Sequence, residues 1–307
     1  MVNSQRDEQR RYMKETFVKK NFNPTSLATI QTVNTILVEY EKQGFRLSLR
    51  QLYYQLVARD YIPNSQRSYK NLGNLVSNAR QAGLVDWEMI EDRGRETVLP
   101  SHWRNPAHIV RVAAEQFRID KWIDQPYHVE VLVEKDALSG VLEPTCADLD
   151  VGLTANKGYS SSSTMYEIGK RLAAHRKEGK EILVLYLGDH DPSGIDMTRD
   201  VDDRLNMYSR LWGGVEIKRL ALNYDQVELW KPPENPAKET DARYAAYAKQ
   251  FGESSWELDA VEPVTLSQLV IDAVETVRDD DAWDDALEKE ESMRAKLQEF
   301  CQTYEEE

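Results

Sequence analysis

Apolar residues recur every three to four positions through residues 25–43 (TSLATIQTVNTILVEYEKQ), a spacing that lines one face of a helix, and the pattern stops at Gly44. A second helix is predicted to start at Ser48, where Ser48 and Gln51 fit a capping box, and to run through LRQLYYQLVARD toward Pro63. A third spans about Ser65 to Ala82 and ends at Gly83. The next stretch, LVDWEMIEDRGRETVLP, reads as extended, and its Asp-Arg-Gly-Arg centre predicts a hairpin turn. Three helices and then a hairpin is the order of a winged helix-turn-helix.

From residue 127 the period changes. YHVEVLV predicts a strand ending at Glu134, followed by a helix over 136–148 and a second strand at VGLTA. A helix over 163–178 follows a run of serines, and EILVLYL is a third strand ending at Gly188-Asp189. A helix near 194–209 and a strand at EIKRLAL complete the series, before a Pro-rich insert (KPPENPAKET) and a last helical region. Such alternation predicts an α/β fold: a mostly parallel sheet with helices on both faces and sites outside the carboxyl ends of its strands.

Charge divides the chain in the same place. The 307 residues carry 39 Lys+Arg and 53 Asp+Glu, a net of −14, yet residues 1–120 hold 18 bases and 13 acids (+5) and residues 121–307 hold 21 and 40 (−19). Any polyanion contact therefore falls to the front. The organisation expected is a charged lead-in (1–24), a DNA-binding unit (25–120), a metal-binding α/β unit (121–271) and an acidic helical segment (272–307). That last segment has 14 acids against 4 bases and reads as a solvated helix or tail. Two cysteines give no disulfide framework, which points to a reducing compartment. With no run near the roughly 18 apolar residues of a spanning helix, and no signal-peptide core at the N-terminus, a soluble cytoplasmic protein without membrane contact is expected.

Two constellations carry chemistry. On the third helix, Leu72, Leu75, Val76 and Ala79 share an apolar face, while Arg67, Lys70, Asn71, Asn74 and Asn78 lie opposite, suited either to a major groove or to plain solvent. Arg93 and Arg95 fall on the expected wing, near phosphates. At the strand ends, Glu134, Asp189 and Asp191 are hard oxygen donors of the kind that take Mg²⁺ or Mn²⁺. In an extended segment Asp189 and Asp191 face one side and His190 the other, which gives His190 a structural role. Asp-x-Asp alone also fits a solvated pair in so acidic a chain.

The segments VLVEKDAL, LTANKGYSSSST and LYLGDHDPSGIDM, in that order, resemble the Toprim domain of the DNA topoisomerase VI A subunit and its meiotic double-strand-break relatives. A family-like Glu-Leu-x-Ala segment is matched by Glu257-Leu258-Asp259-Ala260. The resemblance covers about residues 45 to 275. It implies a winged helix before a Toprim domain, a homodimer, double-stranded DNA as substrate and Mg²⁺ as cofactor. It also places the family's nucleophile at Tyr54, the last residue of Arg50-Gln51-Leu52-Tyr53-Tyr54. Arg50, one helical turn earlier, is placed to hold phosphate or favour the phenolate. Gln51 departs from the family, which has an acid there.

The leading expectation is thus tyrosine transesterification: Tyr54 of one protomer attacks the phosphodiester while Glu134, Asp189 and Asp191 of its partner hold the metal, leaving a 5′-phosphotyrosyl link. Glu134 can alternatively serve as general acid. Lys157 and Ser160 to Thr164 lie at a helix start beside the site, as phosphate contacts or as a free loop. An alternative enzyme hydrolyses DNA with water at the same carboxylates, and a third reading is a non-enzymatic winged-helix DNA binder. No G-x-x-x-x-G-K-[ST] motif occurs, so this chain has no nucleotide site and strand passage would need a separate ATPase subunit.

Overall fold

The computed structural model describes residue 14 and residues 16–91, 100–156, 158–211 and 213–305. Its front is helical. α1 (Pro24–Glu41) begins at the Asn23 cap, and α2 (Leu49–Ala58) follows the short β1 (Leu47–Ser48). The predicted capping box is formed: Gln51 N donates to Ser48 Oγ and Ser48 N donates to the Gln51 side chain. α3 (Gln66–Gln81) buries Leu72, Val76 and Ala79, as its apolar period requires, and leaves Arg67, Lys70, Asn71, Asn74 and Asn78 exposed.

Of the extended stretch, β2 (Ile90–Glu91) pairs in parallel with β1, and the Asp-Arg-Gly-Arg turn of the expected hairpin lies outside the described residues. The tip carrying Arg93 and Arg95, like Lys157 further on, lies outside the described residues. A helix that no motif announced, α4 (Pro106–Gln116), leads into the sheet.

The second layer follows the alternation closely. β3 (Tyr127–Val133), β4 (Gly152–Ala155), β5 (Glu181–Leu187) and β6 (Glu216–Ala221) form one parallel sheet in the order β4-β3-β5-β6. Alternate residues enter opposite cores, because both faces are covered. Val129, Val131, Val133, Leu183, Leu185 and Leu187 pack beneath α5 (Ser139–Asp148) and α10 (Pro263–Glu275). Leu132, Ile182, Val184 and Tyr186 pack beneath α6 (Ser162–Lys177) and α7 (Pro192–Ser209). β3 and β5 are neighbours, but the helices that leave them run to opposite faces. Their carboxyl ends therefore bound a crevice.

The Pro-rich insert contributes a strand that the sequence pattern did not signal. After α8 (Tyr224–Trp230), β7 (Glu234–Pro236) pairs antiparallel with β8 (Ser254–Trp256), with α9 (Tyr244–Phe251) between them. Trp256 then forms a two-way bridge with His190, N–H to carbonyl at 2.9 Å each way. That bridge delivers residues 257–260 to the end of β5. Ala260 is buried in the helical front's core, and the Tyr40 hydroxyl donates to Glu262, so the two layers meet on this segment.

The acidic end is more than a solvated tail. α11 (Asp280–Glu305) lies along α4, buries Trp283 and Cys301, and sinks Glu290 into an ion pair with Lys121 at 3.0 Å. Glu290 also accepts from Ile119 N and from Arg294. Apart from Glu290, its acids whose side chains are described are exposed, which is why composition alone hid the packing. No helix among the described residues is long and apolar enough to cross a membrane. Replacing Glu290 by Ala strands the Lys121 ammonium and the Ile119 amide, and is expected to lower unfolding free energy by about 3 kcal/mol in a urea titration.

Candidate metal centre

At the end of β5 the chain makes a tight corner that depends on small residues. A Cβ on Gly188 would lie 2.7 Å from Glu134 Oε2, and one on Gly194 would lie 2.3 Å from the Asp189 carbonyl oxygen. The glycines let Glu134, just past β3, press against the neighbouring strand's end, where Asp189 N donates to its Oε2 at 2.9 Å. Glu134 and Asp189 are thus brought together as the sequence suggested.

Asp191 has another partner. It is the N-cap of α7, accepting from Gly194 N at 2.6 Å and from the Ser193 hydroxyl at 2.9 Å. One oxygen of its carboxylate, Oδ1, serves the helix start, where the unpaired N–H groups and the dipole favour an anion. His190 faces away from the acids, as alternation predicts, into a cage of Tyr224, Tyr247, Phe251 and Trp256.

The carboxylates that converge are Asp189, Glu257 and Asp259, with one oxygen from each lying within 4.8 Å of the others. Asp189 Oδ1 accepts from Leu258 N at 2.7 Å, which fixes the approach of the 257–259 turn. Glu257 and Asp259 are the functional residues that strand-end reasoning missed. The Glu-Leu-Asp-Ala match marked their segment, but nothing in the spacing tied residues so distant to Asp189.

The donor set suits a divalent cation. All three ligands are hard oxygens, and Asp259, with its side chain fully buried, keeps an Oδ1 without a hydrogen-bond partner. Burial raises the Asp189 carboxyl well above the usual range, and the nearby Glu257 and Glu134 charges add to this against Lys135. Burial pushes Glu257 the same way, but Lys135 and Arg50 outweigh it and hold Glu257 below the usual carboxylate range. Glu134 is raised, chiefly by burial.

Two cations compensate the acids. Lys135 Nζ lies 2.7 Å from Asp189 Oδ2 and 2.8 Å from Asp259 Oδ2, and it also contacts Glu257. Arg50, on α2, pairs with Glu257 at 2.7 Å and with Asp259 at 3.3 Å. The helix bearing Tyr54 is therefore anchored to the acids of its own chain, whereas the sequence reading assigned them to a partner.

Tyr54 is 4% exposed, and its hydroxyl accepts from Asn235 Nδ2 at 3.3 Å. The Arg50 guanidinium stands 5.9 Å from its ring centre. Even so, burial and the Glu257 charge together raise the phenol above its ordinary value, against the opposing pull of Asn235, Arg50 and Lys135. Arg50 does favour the phenolate, as expected from its place one turn earlier, but burial and Glu257 outweigh it. Tyr53 is a core residue, its hydroxyl held by Asn64 and Ser65. Ser161 caps α6, accepting from Thr164 N at 3.0 Å, and the Ser160 carbonyl accepts from Arg204.

Comparisons of the chain with protein-family models, with curated proteins and with solved structures find no match. The site therefore stands on its own geometry.

His190 yields a pH prediction. Burial lowers its pKa from 6.5 to about 4, helped by Arg219, and Nδ1 lies 2.8 Å from the Tyr247 hydroxyl. Between those values the unfolded chain binds a proton that the folded chain does not. Stability is therefore intact above pH 6.5 and declines as pH falls toward 4, by about 2–3 kcal/mol from this residue. Urea titrations at stepped pH should show His190→Gln losing that much less than the parent over the same interval.

Proposed function

We propose that this chain is a divalent-metal-dependent DNA-cleaving enzyme of the topoisomerase VI A-subunit type, with a winged-helix front and a Toprim-like sheet. The observation that carries the reading is the convergence of Asp189, Glu257 and Asp259 at a sheet crevice, with Arg50 and Tyr54 of α2 against them. Mg²⁺ or Mn²⁺ held by those three carboxylates would supply charge neutralisation at the scissile phosphate. Arg50 orients a non-bridging oxygen. The Tyr54 oxygen, once deprotonated, attacks phosphorus and the bond to the 3′-oxygen breaks, leaving a 5′-phosphotyrosyl link. Glu134, whose carboxyl burial raises above its usual value, is the general acid toward the departing 3′-oxygen. Two protomers in a C2 dimer would set two such sites on opposite strands, and strand passage would need a separate ATPase subunit.

The exposed face of α3 is the DNA contact in this reading, with Arg67, Lys70, Asn71, Asn74 and Asn78 toward the major groove. A second reading, hydrolysis by water at the same carboxylates, is favoured by the raised Tyr54 phenol and by Gln51, which closes the helix cap where the family has an acid.

The discriminating assay incubates supercoiled plasmid with the protein and Mg²⁺ or Mn²⁺, stops with SDS, and compares gels with and without protease. Transesterification gives protein-linked ends that Tyr54→Phe abolishes; hydrolysis gives free ends that survive that change. Asp259→Asn and Asp189→Asn should each reduce cutting at least about 100-fold, as loss of a metal-site residue commonly does, and unchanged cutting would exclude these ligands. A gel shift without cutting under any condition would favour a simple DNA binder. Arg67→Ala is expected to weaken binding across sequences and to reduce the slope of log affinity against log salt by about 1.

A further inference from the structure

Resting on the metal-centre reading above, the geometry points to Lys135 and Arg50 as a built-in counter-cation that must leave the acidic triad for a divalent ion to load, so that loading releases α2 and Tyr54 from the sheet. Three observations support this.

First, the Lys135 ammonium is placed as an ion would be. It contacts all three carboxylates, at 2.7 Å from Asp189 and 2.8 Å from Asp259. Oxygens around Mg²⁺ stand at about 2.1 Å from the ion and at most ~4.2 Å from one another, and one oxygen from each of the three residues already lies within 4.8 Å of the others.

Second, the charges match. Asp189, Glu257 and Asp259 sum to −3 when ionised, and Lys135 with Arg50 supplies +2, which is the charge of one divalent ion. Exchange leaves the buried cluster's total unchanged, whereas adding an ion without exchange would crowd three cationic centres around three acids.

Third, the two cations come from different layers. Lys135 follows β3, whereas Arg50 lies on α2 one turn before Tyr54. Arg50 is the more exposed member: it holds Glu257 at 2.7 Å, but its side chain is 42% exposed against 18% for Lys135, and its Nε lacks a hydrogen-bond partner although Asp259 stands at 3.3 Å. This is an ion pair of incomplete geometry, poised to exchange. Once Arg50 leaves Glu257 and Asp259, all five of its N–H donors are free to meet a phosphate. Lys135 and Arg50 are positioning residues in this account: they decide when Tyr54 and the triad are available.

The test needs no DNA. Mn²⁺ binding is measured by calorimetry for the parent, Lys135→Gln, Lys135→Arg and Asp259→Asn, with amide hydrogen exchange followed across residues 49–58 with and without Mn²⁺. Lys135→Gln is expected to bind Mn²⁺ at least about tenfold more tightly, within the ~5–150-fold range of typical couplings. Lys135→Arg should stay near the parent, and Asp259→Asn should lose binding. In the parent, Mn²⁺ should speed exchange in α2, a readout that requires no variant to fold. Equal or weaker Mn²⁺ binding by Lys135→Gln would overturn the counter-cation role while leaving the metal centre intact. Tighter binding with unchanged exchange in α2 would overturn the release of Tyr54. Absence of Mn²⁺ binding by every form would overturn both this inference and the metal reading beneath it.

Discussion

Three carboxylates packed at one sheet edge repel one another, and burial sharpens that repulsion. Everything at the carboxyl end of this sheet is arranged around its compensation. Lys135 and Arg50 supply the opposing charge, Leu258 N and Asp189 N fill oxygen lone pairs, and burial with like-charge repulsion drives Asp189 toward its protonated form. The same interactions hold the molecule together. Arg50 belongs to the helical front, Lys135 to the sheet, and Glu257 with Asp259 to the segment between β8 and α10. These ion pairs act beside the burial of Ala260 in the helical front's core and the Tyr40–Glu262 hydrogen bond, which join the same parts.

The path of the chain into this cluster is set by ordinary packing. β8 is only three residues long, yet it pairs with β7 on one side and bridges His190 on the other. His190 is locked by an aromatic cage and by Tyr247, so the backbone at 189–191 has little freedom. A neutral, buried imidazole is thus the hinge pin of an acidic site without being part of its chemistry. Asn235 closes the circuit: from β7 it donates to Tyr54, while Asn64 donates to its side chain and to the Glu234 carbonyl.

The sequence made the sheet legible because a doubly covered parallel sheet writes itself as short apolar runs between helical periods; β3, β5, α6 and α7 fall where those runs and caps placed them. The helix starts at Ser48 and Ser65 were equally plain, since capping chemistry is local. What stayed hidden was every feature fixed by long-range contact. α4 and α11 are each read poorly alone because each is covered by the other. β7 lies in a Pro-rich stretch and pairs only at the molecule's edge. Asp191 read as a ligand by its type and spacing, and a carboxylate two residues past Asp189 and directly before Pro192 is also a helix cap, a local role that its Oδ1 fills. Glu257 and Asp259 could be flagged by motif and not by geometry, for their nearness to Asp189 depends on the β8 bridge.

Tyr54 shows how the local and long-range levels join. Its position one turn after Arg50 is a property of the helix, and by itself it suggests a cation that eases ionisation of the phenol. The tertiary structure outweighs that relation: Arg50 still eases ionisation, but it also pairs with Glu257 and Asp259, and burial with the negative charge of Glu257 disfavours a phenolate. The same four groups can therefore hold the tyrosine silent or, with the carboxylates otherwise neutralised, leave Arg50 free beside it. What disfavours the Tyr54 phenolate thus needs no element beyond burial and the charge of Glu257, which Arg50 already pairs.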